Sequence, residues 1–243
     1  MPFIKGKRAV LEALKAGHSL SAIHLVKDVA PAPELALLLT LANDTGVPVY
    51  TATKDQIEAM AQEGNTQGII AKMAARKELS MADLLGRDHP TVLVVDHLED
   101  PFNFGAIMRS AELFGARGIV FPKDRHAALT PGVMKAASGA IHYLDLVRVA
   151  NIGNAIDQLK RQGYWVYGTT PEQGVLLRDW APSGRVALVV GNEQRGISQR
   201  VLRQCDGLIT IETCGQLASL NVSVATGILL HHVMTHRSLS GEA

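Results

Sequence analysis

Cysteine is nearly absent from this chain of 243 residues: there are two, Cys205 and Cys214. They match no metal-binding spacing. So low a number excludes a disulfide-stapled scaffold and suggests a reducing compartment, where both are expected to be small buried residues. No apolar run approaches the ~20 residues that span a bilayer, so no transmembrane helix is expected. The opening Met1-Pro2-Phe3-Ile4-Lys5-Gly6-Lys7-Arg8 has no apolar stretch behind its charges. No signal peptide is therefore expected, and the location is read as cytoplasmic. An excess of one charge sign is also missing, since the formal net charge is +1. That neither supports nor excludes a nucleic-acid partner, because a basic patch can be local. Three basic clusters exist: Lys5, Lys7 and Arg8; Lys72, Arg76 and Lys77; Arg195, Arg200 and Arg203. Each taken singly reads as a solvated face.

Several signatures of chemistry are missing too. Gly191 to Gly196 has the spacing of a phosphate loop, but Ile197 stands where its lysine belongs. No G-x-G-x-x-G follows the first strand of the second half, which argues against a dinucleotide fold. There is no nucleophile elbow and no H-E-x-x-H. His232 and His236 lie four apart on the last helix, but no third ligand accompanies them, so no metal is expected.

What remains is an ordinary globular composition, 47% hydrophobic and 19% charged, in an α/β pattern. Residues 1–75 alternate short strands and helices, with Thr53-Lys54-Asp55-Gln56 as a capping box and Ile69–Met73 as the closing strand. Residues 76–90 are charged, carry Gly and Pro and lack a strand pattern, which predicts a linker. Residues 91–243 resume the alternation at larger scale. They predict an open, mostly parallel sheet with helices on both faces.

The chain is organised around Asp100 to Ser110. Val92-Leu93-Val94-Val95 precedes it, a run that reads as a strand buried on both faces and ends in Asp96. Pro101 stops the strand, and Asn103 is the N-cap candidate for a helix running to Phe114. Gly105 and Arg109 share a helix face. The glycine is expected to leave space one turn before the arginine, at the edge where open α/β sheets hold ligands. Two later segments repeat the order of strand, polar loop and helix: Val190 to Gly196, and Ile211 through Ser219-Leu220-Asn221-Val222-Ser223.

The set N-F-G-A-I-M-R-S at Asn103–Ser110, V-V-G-N-E-x-x-G at Val189–Gly196 and S-L-N-V-S-V-A at Ser219–Ala225 resembles the three motifs of the SpoU/TrmH family. These are RNA ribose 2′-O-methyltransferases that use S-adenosylmethionine. The order and spacing match over about the last two-thirds of the chain. The first unit is similar to that family's substrate-binding domain, itself like a ribosomal protein, on Gly6, Ala9, Val10 and Gln67-Gly68-Ile69-Ile70. The two-unit form and the length look most like the bacterial enzymes that methylate a guanosine of 23S rRNA. A tRNA ribose methyltransferase and a non-catalytic RNA-binding protein of the same fold are the alternatives.

The resemblance implies a C-terminal trefoil knot, an exception to the rule that chains do not thread loops. It implies a cofactor held mostly by backbone groups near Gly191, Ile211 and Leu220, with Thr169, Asn192 and Gly196 beside them. It implies catalytic or positioning roles for Asn103, Arg109, Glu193, Ser219 and Asn221. Capping or dipole contacts are the plainer reading of Asn103, Glu193, Ser219 and Asn221. It also implies a homodimer in which the last helix packs across the two-fold. Ser223, Ala225, Thr226 and Gly227 suit such close approach, and equally suit a tightly packed internal helix. Structured RNA, with rRNA favoured over tRNA, is the implied partner. Where family members often read Ile-Pro-Met, this chain has Ile211-Glu212-Thr213. A rigid turn is lost and a charge added near the adenine pocket.

The family's arginine, here Arg109, has been proposed as a general base. A guanidinium is effectively always protonated, with a reference pKa of about 12.5 or higher. A phosphate clamp or an alkoxide-stabilising role is chemically simpler.

Overall fold

The structure, a computed structural model, describes residues 3–241 apart from 16, 18, 19, 28–31, 62–64, 74–77, 125, 128, 193 and 218. The chain divides into two compact units, Met1–Lys77 and Glu78–Ala243.

The first unit has strands β1 (Phe3–Lys5), β2 (Leu20–Val26), β3 (Val49–Ala52) and β4 (Ile69–Met73), with helices α1 (Lys7–Lys15), α2 (Pro33–Asp44) and α3 (Lys54–Ala61). The sheet order is β1-β4-β2-β3. Only β2 and β3 run parallel, while β4 is antiparallel to both β1 and β2. One core joins Val10, Leu14, Ile23, Leu38 and Ile69; a smaller one joins Ala52, Ile57, Ala61 and Ile70. The Thr53–Gln56 capping box forms as its spacing requires: Thr53 N donates to Gln56 Oε1, and Gln56 N to Thr53 Oγ1.

The second unit starts earlier than the sequence suggests. Residues 78–90, expected to link, pack into it. Leu79 N donates to Leu146 O at 2.8 Å, and Met81 and Leu84 of α4 (Met81–Leu85) enter the same core as Val92 and Val94. Three apolar residues among the charges are enough to bury one side of a short helix. Its charged neighbours then clamp an edge strand. Arg87 Nη1 donates to both oxygens of the buried Asp145 carboxylate, and His89 Nε2 lies 2.7 Å from it.

The strands that follow are β5 (Thr91–Val95), β6 (Gly118–Pro122), β7 (Asp145–Val149), β8 (Tyr164–Thr169), β9 (Val175–Leu176), β10 (Arg185–Val190) and β11 (Gly207–Thr210). They form one sheet, β7-β6-β5-β10-β8-β11-β9, in which every pairing is parallel. β5 and β6 are buried at every position, which explains their unbroken apolar runs. Helices α5 (Pro101–Leu113), α6 (Pro131–Ala137) and α9 (Val222–Ser240) carry one core; α4, α7 (Ile152–Arg161) and α8 (Gln199–Leu202) carry the other. Among the described residues no helix is long and apolar enough to cross a membrane.

The cysteine expectation holds for one residue only. Cys205 is partly buried, with its thiol pushed up to about 11 by burial, whereas Cys214 is exposed in the loop after β11.

One buried group makes stability depend on pH. The His126 ring packs edge-on to Phe104 at 4.4 Å and stacks on Phe121 at 4.9 Å. Neither ring nitrogen has a hydrogen-bond partner among the described residues. Burial, then the charges of Arg148 and His97, lower its pKa from 6.5 to about 4. The unfolded chain therefore binds this proton first, and stability present above pH ~6.5 is lost as pH falls toward 4. His126→Phe keeps the ring contacts. It should reduce the stability lost between pH 7 and pH 4.5 by on the order of 2 kcal/mol, measured by urea unfolding at both pH values.

Candidate active site

The three motif segments meet at the C-terminal edge of β5, β10 and β11. Each has a local reason for its position. After β5, Asp96 N continues the ladder by donating to Val190 O at 2.8 Å. The Asp96 carboxylate is 1% exposed; it accepts from Ser198 N at 2.9 Å and lies 2.5 Å from His97 Nδ1. His97 takes a left-handed φ of +58°, which turns the chain sharply.

The cap of α5 is Asp100 rather than Asn103. Asp100 accepts from Phe102 N at 2.9 Å, with Pro101 in the first helical position, where its missing N–H costs nothing. Asn103 serves a different contact: its Oδ1 accepts from Asn221 Nδ2 at 3.0 Å. Asn221 is itself the N-cap of α9 and accepts from Ser223 N at 2.9 Å. One side chain thus starts the last helix and ties it to the first motif.

Gly105 does not leave a void. A Cβ there would stand 2.4 Å from Ala136 Cβ and 2.7 Å from Val133 O, so the missing side chain is filled by the close approach of α6. Arg109, one turn on, is exposed and has no hydrogen bond or ion pair among the described residues.

The second motif closes into a tight loop. Asn192 and Gly196 exchange both backbone hydrogen bonds, at 3.0 and 2.9 Å. Asn192 Oδ1 accepts from Gln194 N and Arg195 N, and its Nδ2 donates to His97 O at 3.0 Å. Gly191 is required here, because a Cβ would lie 2.2 Å from the Gly196 carbonyl carbon. Gly196 has φ +65°, a conformation that suits glycine. Glu193 lies outside the described residues.

Between this loop, the end of β8 and the start of α9 lies a cleft of about 320 Å³. Thr169, Gly191, Asn192, Gly196, Ile211 and Leu220 all line it, as does Ser219. Asn103, Arg109 and Asn221 do not line it; they stand on the helices beside it. Ile209, Val222 and Leu229 give the cleft an apolar floor, and Thr170 and Thr213 add hydroxyls. Glu212 bears on the cleft only indirectly, since its carboxylate lies 3.3 Å from Arg178 Nη1. A second, more polar cleft of about 520 Å³ shares Asn192, Arg195 and Gly196 with the first and adds Asp96, His97 and Arg200. Asp96 and His97 carry no motif signature. The only sequence signal for Asp96 was its place at the end of a wholly apolar strand.

The remaining expectations resolve as follows. On α9, Thr226 is fully buried and Gly227 faces Ser110 of α5, so part of this stretch is an internal contact. Val224 and Ile228 point outward, and with Ala106, Phe114 and His231 they line a shallow groove. His232 and His236 pack ring to ring at 4.4 Å, and His232 Nε2 lies 2.7 Å from Trp180 O, so that pair is used in packing.

Comparison with known proteins shows the family. Residues 90–231 match the SpoU rRNA Methylase family, and residues 3–79 match a family described as RNA 2′-O ribose methyltransferase substrate binding. YacO of Bacillus subtilis, assigned to the TrmH family of tRNA/rRNA methyltransferases, is 34% identical over 99% of this chain and 98% of its own. The AdoMet-bound rRNA methyltransferase of Sinorhizobium meliloti superimposes with a TM-score of 0.78 at 25% identity, covering 96% of this chain and 87% of that one. The TrmH/SpoU tRNA modifying enzyme of A. aeolicus superimposes with a TM-score of 0.59 at 25% identity, covering 67% of this chain and 86% of its own. The chain belongs to the SpoU/TrmH family of RNA methyltransferases.

Two substitutions test the geometry. Gly191→Ala forces its Cβ into the Gly196 backbone and should destabilise the second unit by about 1–3 kcal/mol in urea unfolding. Asn221→Ala should cost about 1 kcal/mol by loss of the cap, whereas Asn221→Ser keeps a cap and should cost only a few tenths.

Proposed function

We propose that this protein transfers the methyl group of S-adenosylmethionine to a ribose 2′-hydroxyl of RNA, and that the target is a guanosine of 23S rRNA. The observation that carries the reading is a cleft lined by the second and third motif segments, with the first motif tied to the third beside it through Asn103 and Asn221. All six residues expected to hold the cofactor line it. The cleft suits the group on its own terms. Its volume is in the range of small-molecule sites, its floor is apolar, and its polar groups are loop backbone, hydroxyls and the residues Asn192, Gln194 and Arg195. When bound, the cofactor supplies an already activated methyl, so the protein's task is alignment and charge control.

Thr169, Gly191, Asn192, Gly196, Ile211 and Leu220 would hold the cofactor, with Gly191 letting the loop that carries Asn192 and Gly196 close on itself. Alignment of two held reactants can account for roughly 7–11 kcal/mol of a barrier. Asn103, fixed by Asn221, would orient the ribose. Arg109 is exposed and uncommitted among the described residues, and a guanidinium offers five donors and no acceptor. It would therefore clamp the phosphate of the target nucleotide and stabilise the developing alkoxide rather than take the proton. Ser219 at the cleft rim would position the target, and Glu193 would orient Asn103 or Arg109. The favoured rRNA target rests on the first unit. The S. meliloti rRNA methyltransferase matches 96% of this chain, whereas the A. aeolicus tRNA modifying enzyme matches only 67%. We also propose that the outward face of α9 forms a homodimer interface through Val224 and Ile228, that the second unit is knotted, and that the protein works in the cytoplasm.

Calorimetry with S-adenosylmethionine is the first check, and no binding would sink the enzyme reading in favour of a non-catalytic RNA-binding protein. Mapping 2′-O-methyls in total RNA from a strain lacking the protein is the second. Loss of a guanosine site in 23S rRNA is expected, and loss in tRNA would replace that target. Arg109→Lys keeps the charge and loses the fork; it should lower turnover at least tenfold with cofactor affinity unchanged. Near-full turnover would overturn the clamp.

A further inference from the structure

The first unit carries an aromatic surface that no motif explains. β3 is the edge strand of its sheet, and Val49, Tyr50 and Thr51 are all exposed, so neither face of the strand is fully covered. Tyr50 is 52% exposed. The sheet register pairs it with His24 of β2, and the two rings stack with centroids 5.5 Å apart and planes 27° from parallel. The same register continues the row inward, from His24 to Ile70 and from Ile70 to Lys5. The next row on that face holds Lys72. Ile70 belongs to the core that includes Ile57 of α3, whereas Tyr50 does not enter it. The row is therefore buried at its middle and emerges as a flat aromatic pair at the open edge, with ammonium groups on the same face.

An exposed tyrosine on an edge strand adds little to folding. In a unit that matches an RNA substrate-binding family over residues 3–79, its chemistry points to a base. Sheet-borne aromatics take unpaired bases by stacking, which tolerates any base because each has a π-face. Nearby lysines suit the phosphates of the same strand. We propose that His24 and Tyr50 form a stacking platform for an unpaired base of the RNA substrate, with Lys72 on the same face to meet its backbone. The inference rests on the RNA methyltransferase reading and adds where the first unit grips its substrate and in what form: an unpaired segment, not a continuous duplex.

The test uses the full chain with a fluorescein-labelled single-stranded 12-mer RNA of mixed sequence, and the same RNA as a duplex. The wild type should bind the single strand more tightly than the duplex. Tyr50→Ala and His24→Ala should each weaken single-strand binding roughly fivefold or more, while Tyr50→Phe, which keeps the ring, should retain it. S-adenosylmethionine binding, as a check on folding, should be unchanged in all three. Single-strand affinity unaltered by Tyr50→Ala overturns the platform, as does equal affinity for single strand and duplex. So does a strip that serves a protein partner, since RNA affinity would then be indifferent to both rings. The two readings fail separately. Ring-dependent RNA binding without any cofactor binding would leave the platform and remove the enzyme, whereas cofactor binding and methylation with ring-independent RNA binding would do the reverse.

Discussion

A carboxylate buried to 1% exposure cannot stay in an apolar edge without partners, and the arrangement of the second unit follows from how Asp96 finds them. Its own N–H extends the β5–β10 ladder by one rung, which sets the two central strands level at their ends. One oxygen then draws in Ser198 N from the start of α8, and the other holds His97. With both oxygens engaged, the segment after β5 and the segment after β10 are fixed to each other, and Asn192 completes the join by donating to His97 O. The Asn192–Gly196 loop is held from two sides by groups that are not themselves in the cleft. A backbone-lined pocket needs this, because backbone groups have no rotamers with which to correct a misplaced ligand.

Crowding is used in the same way at two glycines. At Gly191 the loop folds back on its own backbone, so the cleft wall is as thin as a polypeptide can make it. At Gly105 one helix settles directly on another, and α6 fills the space that a side chain would need. Both contacts leave little room for repacking, which is how close-packed interiors transmit position.

Much of this was legible in the sequence. Strands β5 and β6, and β10 from Val186 to Val190, are continuous apolar runs, and burial on both faces is the physical reason such runs exist. The three motif segments could be assigned to one site because parallel strands put all their C-terminal ends on one edge. The misses have equally definite causes. β7 begins with Asp145, whose charge hides a strand until Arg87 and His89 are seen to neutralise it. Those partners sit 58 and 56 residues away in a stretch that composition alone marks as a linker. Asn103 and Asp100 are both good caps by residue type. Only the proline between them, which suits the first helical position, decides for Asp100. His24 and Tyr50 are invisible as a pair, because nothing in the chain announces a register.

The gap between Gly105 and Arg109 shows why the opening motif takes its form. Both lie on one helical face, yet Gly105 is buried against α6 and Arg109 is exposed. The glycine draws α6 in close, and close packing at that point fixes the rotation of α5 about its axis. With rotation fixed, the next residue on the face is presented to solvent at a set angle. A bulkier residue at 105 would push α6 away, and the arginine would keep its charge but lose its aim. The spacing of N-F-G-A-I-M-R is thus a single mechanical statement: tie the helix at Asn103, seat it at Gly105, and project from Arg109.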